Sequence, residues 1–186
     1  MTSGAVKMRN LSFISEFLKY PREIGTFTQS SRVLAKKIAR EINGSTEVVE
    51  FGPGIGAVTV EILRQLPENG RLTCFEINPK FCGYLEKIDD PRLRVINDDA
   101  NNCKQYIDDL ECVISGLPLT LLGKSKIEKI LGIICKSKSY IQLQYTPFLG
   151  KRMRNYFFEV RLIFVPLNLP PAFVYVCRVP RDGCGQ

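Results

Sequence analysis

A glycine-rich turn with an acidic neighbour is the stretch of the sequence best suited to binding a ligand. Three glycines alternate with other residues in VVEFGPGIG, which covers residues 48–56: they are Gly52, Gly54 and Gly56. Glu50 precedes them, and Pro53 stands between the first two. Glycine lets a ligand approach the backbone closely, and a helix that follows offers N–H groups without intrahelical partners. The spacing therefore predicts a ligand site directly after a buried strand, and a plain tight turn is the alternative.

Two further carboxylates end the next two predicted strands. Glu76 lies about twenty residues after the turn, where a carboxylate can accept hydrogen bonds from both hydroxyls of a ribose. Asp99 stands in INDDA (96–100), and an acid there suits an adenine amino group, with Ala100 leaving room for the ring. Ile77 follows Glu76 and is assigned to the same site. These positions predict a ligand that contains adenosine.

A proline-containing turn follows the fourth predicted strand. The segment SGLPLT covers residues 115–120, and Pro118 restricts Leu117 to extended conformations. The carbonyl groups of residues 115–117 are therefore predicted to point into the cleft at the strand ends. An ordinary loop is the alternative interpretation of this segment.

Helical and strand-like stretches alternate from residue 30 onward, which places these turns at one edge of a sheet. The predicted strands cover residues 47–51, 71–76, 93–97, 112–116, 140–146, 157–165 and 172–178. The predicted helices cover residues 30–42, 57–66, 78–88 and 125–137. The connection PLNLPP is too short for a helical crossover, so the last two strands are predicted to be antiparallel. The predicted fold is α/β, a Rossmann-like doubly wound sheet of seven strands, mostly parallel with an antiparallel C-terminal hairpin.

Composition limits both the chemistry and the partners. The net charge of +7 and pI near 9.1 suggest an anionic partner, either nucleic acid or an acidic membrane surface, and a merely soluble basic protein is the equally weighted alternative. The chain has no histidine, which excludes Ser-His-Asp and Cys-His catalysis and histidine metal sites, and no metal is predicted. Seven cysteines without a C-x-x-C pair are typical of reduced thiols in a cytoplasmic protein.

Together these motifs resemble those of class I S-adenosylmethionine-dependent methyltransferases. The resemblance rests on VVEFGPGIG, on CFE at 74–76, on NDDA at 97–100 and on SGLP at 115–118, and it covers roughly residues 30–178. It implies S-adenosylmethionine as the cofactor. The implied cofactor-binding residues are Glu50, Gly52, Pro53, Gly54, Gly56, Glu76, Ile77, Asp99, Ala100 and Ser115.

Two branches of this superfamily carry comparable motifs: the ribosomal RNA adenine dimethylases, and the bacterial phospholipid N-methyltransferases that convert phosphatidylethanolamine to phosphatidylcholine. FTQSSRVLAKKIA (27–39), SGLPL (115–119), IQLQYTP (141–147) and NLPPAFVYV (168–176) resemble the second branch. SGLPL differs from the RNA enzymes, which have N-L-P followed by Tyr or Phe at this place. Gln29, in contrast, resembles the RNA enzymes. Few residues follow the last predicted strand, so we expect no helical RNA-binding domain and a lipid rather than an RNA acceptor.

The second branch implies that the methyl acceptor is the amine of a phospholipid head group, such as that of phosphatidylethanolamine. The implied catalytic residues are Ser115, Gly116, Leu117, Pro118 and Tyr145. An in-line displacement needs an aligned, neutral amine, and without histidine the candidate proton acceptors are tyrosine, a carboxylate or water. An RNA adenine N6-methyltransferase, a small-molecule amine methyltransferase and a binding module without catalysis remain as alternatives.

The N-terminal residues suggest contact with a membrane. Residues 1–29 are predicted to form an amphipathic helix and a segment that covers the cofactor, ahead of a methyltransferase domain over residues 30–186. Over residues 7–22, apolar side chains share one side of a helical wheel and basic side chains flank the other. Such a helix can lie in a lipid interface, so we predict peripheral binding to an anionic membrane surface; packing of the helix on the sheet is the alternative. A second basic stretch, GKRMRNYFF (150–158), is predicted to contact phosphate head groups, and a solvated basic helix is the alternative.

Overall fold

Seven strands of the computed structural model, which describes residues 27–168 and 170–180, form one mixed sheet. The strands are β1 (Glu47–Phe51), β2 (Arg71–Phe75), β3 (Leu93–Ile96), β4 (Cys112–Ser115), β5 (Ser139–Gln144), β6 (Phe157–Val165) and β7 (Ala172–Pro180). Their order across the sheet is β3-β2-β1-β4-β5-β7-β6. Strands β1 to β5 run parallel, and β7 lies antiparallel between β5 and β6. The order of the chain reverses between β1 and β4, which are neighbours.

Helices cover both faces of this sheet. They are α1 (Phe27–Ala39), α2 (Ala57–Gln65), α3 (Pro79–Leu85), α4 (Lys124–Ile134) and α5 (Gly150–Met153), and 3₁₀ turns cover Arg40–Ile42, Ala100–Gln105 and Leu119–Leu121. Buried residues of α1 and α2 pack on one face, and those of α4 and α5 pack on the other. Because successive strand residues point to opposite faces, Val48 belongs to one core and Val49 to the other.

Local sequence sets the limits of the helices around the glycine turn. Asn78 caps α3: its side chain accepts a hydrogen bond from the Lys80 N–H (3.0 Å), and Pro79 takes the first helical position. Helix α2 ends before Pro67, because a residue that precedes proline avoids the helical conformation, and Leu66 is extended (φ −66°, ψ 133°). The N-termini of α2 and α3 therefore lie beside the carboxyl ends of β1 and β2.

The predicted fold class is confirmed, including the antiparallel C-terminal pair. Predicted strand limits agree with the structure within two residues. Helix α1 extends back to Phe27, although the prediction began it at residue 30, and α3 and α4 end three residues earlier than predicted. A 3₁₀ turn, Ala100–Gln105, lies between β3 and β4, where no element was predicted. The predicted amphipathic helix over residues 7–22 lies outside the described residues.

The cysteines depart from the prediction at one position. Among the described residues, five cysteines are free thiols: Cys74, Cys82, Cys103, Cys112 and Cys177. Cys135 forms a disulfide, so the expectation of reduced cysteines throughout is wrong there. The lack of a C-x-x-C motif does not exclude a bond between cysteines that are distant in sequence.

Neither a membrane-spanning helix nor a metal site is found in the described part of the chain. Within residues 27–168 and 170–180, no helix is both long and apolar enough to cross a bilayer. The same residues contain no cluster of histidine, cysteine or carboxylate side chains that could hold a metal ion.

Candidate active site

The glycine turn after β1 adopts backbone conformations that favour glycine. Gly52, Gly54 and Gly56 have φ angles of +67°, +59° and +86°, in the left-handed region that L side chains rarely adopt. A Cβ on Gly52 would lie 2.9 Å from the Leu117 Cδ2 atom, and one on Gly56 would lie 2.9 Å from the Leu85 Cδ2 atom. A Cβ on Gly54 would meet nothing within 4 Å, so the turn is open on that side.

The carboxylate of Glu76 is fixed against this turn. The Gly54 N–H donates a hydrogen bond to Glu76 Oε2 (3.1 Å), and the Asn78 N–H donates one to Oε1 (2.8 Å). Glu76 is only 6% exposed. Each carboxylate oxygen has two lone pairs, so both oxygens keep acceptor capacity for a ligand. This contact places Glu76 against the glycine turn, and a shared ligand site for these residues stays a prediction.

A second carboxylate, Glu50, is buried behind the turn. Its Oε2 atom accepts hydrogen bonds from the Thr59 hydroxyl (2.7 Å) and the Cys74 thiol (3.5 Å). Burial raises the pKa of Glu50 to about 7, the two hydrogen bonds oppose this shift, and the nearby Glu76 charge adds to it. Two carboxylates at such close quarters favour a cationic ligand, which would relieve their repulsion. No sequence motif singled out Thr59.

Asp99 caps the 3₁₀ turn that follows β3. Its Oδ1 atom accepts hydrogen bonds from the Asn101 N–H (2.9 Å) and the Asn101 side-chain amide (2.8 Å). The preceding acid, Asp98, accepts hydrogen bonds from Tyr106 Oη and Asn102 Nδ2, each at 2.8 Å. Both carboxylate oxygens of Asp98 thus accept hydrogen bonds, whereas the side-chain hydrogen bonds of Asp99 within the described residues involve Oδ1 alone. This arrangement leaves Asp99 Oδ2 for a ligand.

The turn after β4 lies directly against the glycine turn. The Gly116 N–H donates to the Phe51 carbonyl (2.9 Å), and a Cβ on Gly116 would lie 2.8 Å from the Gly52 carbonyl oxygen. Position 116 therefore has no room for a side chain. The predicted cofactor side and the predicted acceptor side are in contact through two glycines.

Two buried glutamines of β5 hold the turn after β4. The Gln142 and Gln144 side-chain amides donate to the Leu117 carbonyl at 3.0 and 2.9 Å. The Gln142 amide also donates to the Ser115 carbonyl (3.1 Å). Two of the three carbonyls predicted to face the acceptor thus already accept hydrogen bonds from the protein, and Gly116 carries the third. Sequence reasoning missed both glutamines, although two buried polar residues in an apolar strand were a usable signal.

The remaining predicted acceptor residues differ in their exposure. Ser115 is fully buried, and its hydroxyl accepts a hydrogen bond from the Leu117 N–H (3.3 Å). Pro118 is half-buried and precedes the 3₁₀ turn. Tyr145 is also half-buried and packs against the core on the α1 and α2 face. Burial raises the pKa of Tyr145 to about 12, so its side chain is a neutral phenol near pH 7.

A cavity of about 490 Å³ lies at the opposite end of the strands. Its lining includes Glu47, Arg71 and Arg94, at or near the first residues of β1, β2 and β3. Ligands of parallel α/β sheets bind at the carboxyl ends of the strands, so we do not assign the cofactor to this cavity.

The family model for ribosomal RNA adenine dimethylase matches residues 21–135, more than half of the chain. The chain belongs to this family. It is 28% identical over 185 residues to an ornithine lipid N-methyltransferase of Singulisphaera acidiphila, with 92% of this chain and 96% of that protein covered. It is 31% identical over 104 residues to ribosomal RNA small subunit methyltransferase A of Chlorobium limicola, with 55% of this chain but only 36% of that protein covered.

Solved methyltransferase structures share the fold of this family member. The 1,6-didemethyltoxoflavin-N1-methyltransferase of Burkholderia thailandensis, with bound S-adenosylhomocysteine, has a TM-score of 0.67 at 14% identity, covering 97% of this chain and 92% of that one. The 23S rRNA methyltransferase ErmE has a TM-score of 0.60 at 19% identity, covering 83% and 70%. The family match, the lipid methyltransferase relative and the shared fold together show that the chain is an S-adenosylmethionine-dependent methyltransferase.

The residues of this methyltransferase fit S-adenosylmethionine. The open side of Gly54 gives the cofactor access to the backbone, and Glu76 offers oriented oxygens that can accept ribose hydroxyls. Glu50 lies close to the turn as a buried acid that suits a positive charge, and Asp99 has an oxygen for an adenine amino group. When bound, the cofactor supplies an electrophilic methyl group on a sulfonium.

Replacing Glu76 by alanine is expected to weaken S-adenosylmethionine binding by roughly tenfold or more. The change removes the acceptors for the ribose and also frees the Gly54 N–H that Glu76 now holds. Titration calorimetry on the purified chain measures the affinity. Glu68→Ala is the control, because Glu68 is exposed and its loss changes the net charge equally. Equal affinities for the two variants would contradict the role of Glu76.

Proposed function

We propose that this methyltransferase transfers methyl groups to the amine of a membrane lipid, with phosphatidylethanolamine and ornithine lipid as the candidate acceptors. The observation that carries the proposal is the length of the match to the ornithine lipid N-methyltransferase, which covers almost the whole of both chains. The match to the ribosomal RNA small subunit methyltransferase stops at about a third of that protein. The match to the ornithine lipid N-methyltransferase therefore supports a similar methyl-acceptor site better than the match to the RNA enzyme does.

The geometry of the turn after β4 supports an acceptor other than adenine. The RNA enzymes that this chain resembles carry asparagine at the position of Gly116 and an aromatic residue at that of Leu119. Here a Cβ at position 116 would lie 2.8 Å from the Gly52 carbonyl oxygen, so an asparagine does not fit without a backbone shift. Leu119 is fully buried and is not available to an acceptor.

The groups at this edge suit a small amine that is positioned rather than deprotonated by a dedicated base. The Gly116 carbonyl is the acceptor that the two glutamines of β5 do not engage. Tyr145, as a neutral phenol, offers an aromatic face on which positive charge can be stabilised. The chain has no histidine to take the proton, which leaves water or a carboxylate.

Methylation of RNA is the second candidate, and the match of the RNA adenine dimethylase family over residues 21–135 favours it. The net charge of +7 would also suit a phosphate backbone. A labelled methyl group would be found in lipid for one acceptor and in RNA for the other, so a single labelling experiment distinguishes the two functions.

The test is transfer of a labelled methyl group from S-adenosylmethionine to three substrates offered separately. They are phosphatidylethanolamine vesicles, ornithine lipid vesicles and small-subunit ribosomal RNA. Thin-layer chromatography is expected to place the label in a lipid with an added N-methyl group, and Glu76→Ala should abolish it. Label in RNA alone would replace the lipid proposal by the RNA one. Cofactor binding without transfer to any of the three would also refute the lipid proposal.

A further inference from the structure

One face of the edge strand β6 carries an apolar strip. Alternate residues of a strand share a face, and the alternate residues from 158 to 164 are all apolar. They form what we call the β6 strip: Phe158, Val160, Leu162 and Phe164. Three of them are about half exposed: Phe158 at 58%, Leu162 at 46% and Phe164 at 51%. These side chains form a contiguous exposed apolar row at a sheet edge, unlike the single exposed apolar residues that are normal on protein surfaces.

Two neighbouring loops carry further exposed apolar side chains. Leu167, in the turn after β6, is 79% exposed, and Phe148, in the loop after β5, is 69% exposed. The Leu149 N–H donates to the Tyr175 hydroxyl (3.2 Å), and Tyr175 pairs across the sheet with Leu162. The loop that carries Phe148 is thus held on the face of the sheet that bears the β6 strip.

The border of the surface is basic. Residues 145–158, which include α5, contain one lysine and two arginines and no acidic residue. Lys151 is exposed and Arg152 is half-buried. A Cβ on Gly150 would lie 3.6 Å from the Tyr175 ring, which places the start of α5 beside the strip. Exposed aromatic and aliphatic side chains bordered by positive charge suit the interface of an anionic bilayer.

The surface also lies near the proposed acceptor side. Phe164 stacks on Phe173 with ring centroids 5.0 Å apart, and Phe173 pairs with Gln144 of β5. Gln144 in turn holds the Leu117 carbonyl. Three strand spacings separate β6 from β4, a distance of about 14 Å. A bilayer against the strip would therefore lie within reach of the turn that faces the acceptor.

We propose that the β6 strip, together with Phe148 and the basic border of α5, is a docking surface for an anionic lipid bilayer. Docking there would hold the acceptor edge of the sheet at the lipid head groups. The inference rests on the proposed function in that the substrate is a lipid. It is separate from the predicted helix over residues 7–22, because it uses only side chains of the sheet edge, the loop after β5 and α5.

The experiment is co-sedimentation of the full chain with vesicles made of equal amounts of phosphatidylcholine and phosphatidylglycerol. The variant Phe148→Ser/Leu162→Ser/Phe164→Ser is expected to bind roughly tenfold less strongly, since it removes three exposed apolar groups. Its affinity for S-adenosylmethionine should be unchanged, which also checks folding. Val33→Ser is the control, because Val33 is an apolar side chain of α1 that is 44% exposed.

A second variant tests the basic border without altering the apolar residues. Lys151→Glu/Arg152→Glu is expected to lower binding to these vesicles by more than about tenfold and to leave the weaker binding to pure phosphatidylcholine unchanged. Wild-type binding by both variants would overturn the inference. A second outcome would also overturn it: light scattering shows a wild-type dimer, and the triple variant is monomeric but still binds vesicles. In that case a second copy of the chain, and not a bilayer, would occupy the surface.

The outcomes also separate this inference from the proposed function. If the chain methylates lipid in detergent micelles but the triple variant binds vesicles as the wild type does, the docking surface is refuted and the function stands. If the triple variant loses vesicle binding but no lipid is methylated by the wild type, the docking surface stands and the lipid function is refuted.

Discussion

Gly116→Ala is expected to lower the rate of methyl transfer by about a hundredfold, because a displacement of about 1 Å at reacting groups can cost that much. The new Cβ would lie 2.8 Å from the Gly52 carbonyl oxygen, a backbone atom that cannot rotate away. Relief requires the glycine turn and the turn after β4 to separate, and these two turns carry the predicted cofactor and acceptor groups. Initial rates at saturating cofactor measure the effect on the wild type and the variant.

Gly132→Ala in α4 is the matched control for this substitution. A Cβ there would meet nothing within 4 Å, and alanine stabilises a helix interior by about 0.5–1 kcal/mol relative to glycine. The control should therefore keep its rate and gain slightly in the free energy of unfolding. A Gly116→Ala variant with the rate of the wild type would show that the two turns do not need their present spacing.

Side chains at the ends of successive strands were predictable because the fold collects them. Glu76 and Asp99 are twenty or more residues from the glycine turn and from each other in sequence, but parallel strands bring their carboxyl ends to one edge of the sheet. The spacing of apolar residues and the turn-forming residues between strands predicted the strand limits well enough to place each residue at that edge. The hydrogen bond between Gly54 and Glu76 agrees with this expectation.

Contacts that depend on the register between strands were not predictable. The Leu117 carbonyl accepts hydrogen bonds from Gln142 and Gln144 because β4 pairs with β5 in a register that opposes Ser115 to Gln142. A shift of one residue would have turned both glutamines to the other face. No local signal in the sequence fixes this register. The carbonyls of the turn were therefore expected to be open to the acceptor, and two of them are engaged by the protein.

Glu50→Gln is expected to stabilise the cofactor-free protein at alkaline pH. Burial raises the pKa of Glu50 from 4.5 to about 7, a difference worth about 3 kcal/mol. The folded state thus favours the neutral carboxyl. The contribution of Glu50 to the free energy of unfolding is complete below the unfolded pKa of 4.5 and is lost as the pH rises through about 7. Glutamine has a similar shape, never ionises and can still accept the Thr59 hydrogen bond.

Urea unfolding of the cofactor-free protein measures this difference. At about pH 8 the Glu50→Gln variant should exceed the wild type by up to about 3 kcal/mol in the free energy of unfolding, and at about pH 4 the two should agree. Glu61→Gln is the control, since Glu61 is also buried but forms ion pairs with Arg32 and Arg64. That substitution removes paired charge and should not stabilise the protein. Equal stability of Glu50→Gln and wild type at both pH values would contradict the burial argument.

The same substitution should weaken cofactor binding, because the carboxylate that costs stability is the group that suits a cation. In the wild type a positively charged cofactor favours ionised Glu50, so affinity for S-adenosylmethionine should rise as the pH increases through about 7. Each binding event near that pH should release a fraction of a proton, which calorimetry in buffers of different ionisation enthalpy detects. Glu50→Gln should bind roughly tenfold more weakly at about pH 8 and show no proton release from this site. The stability lost through burying Glu50 would then be recovered when the cofactor binds.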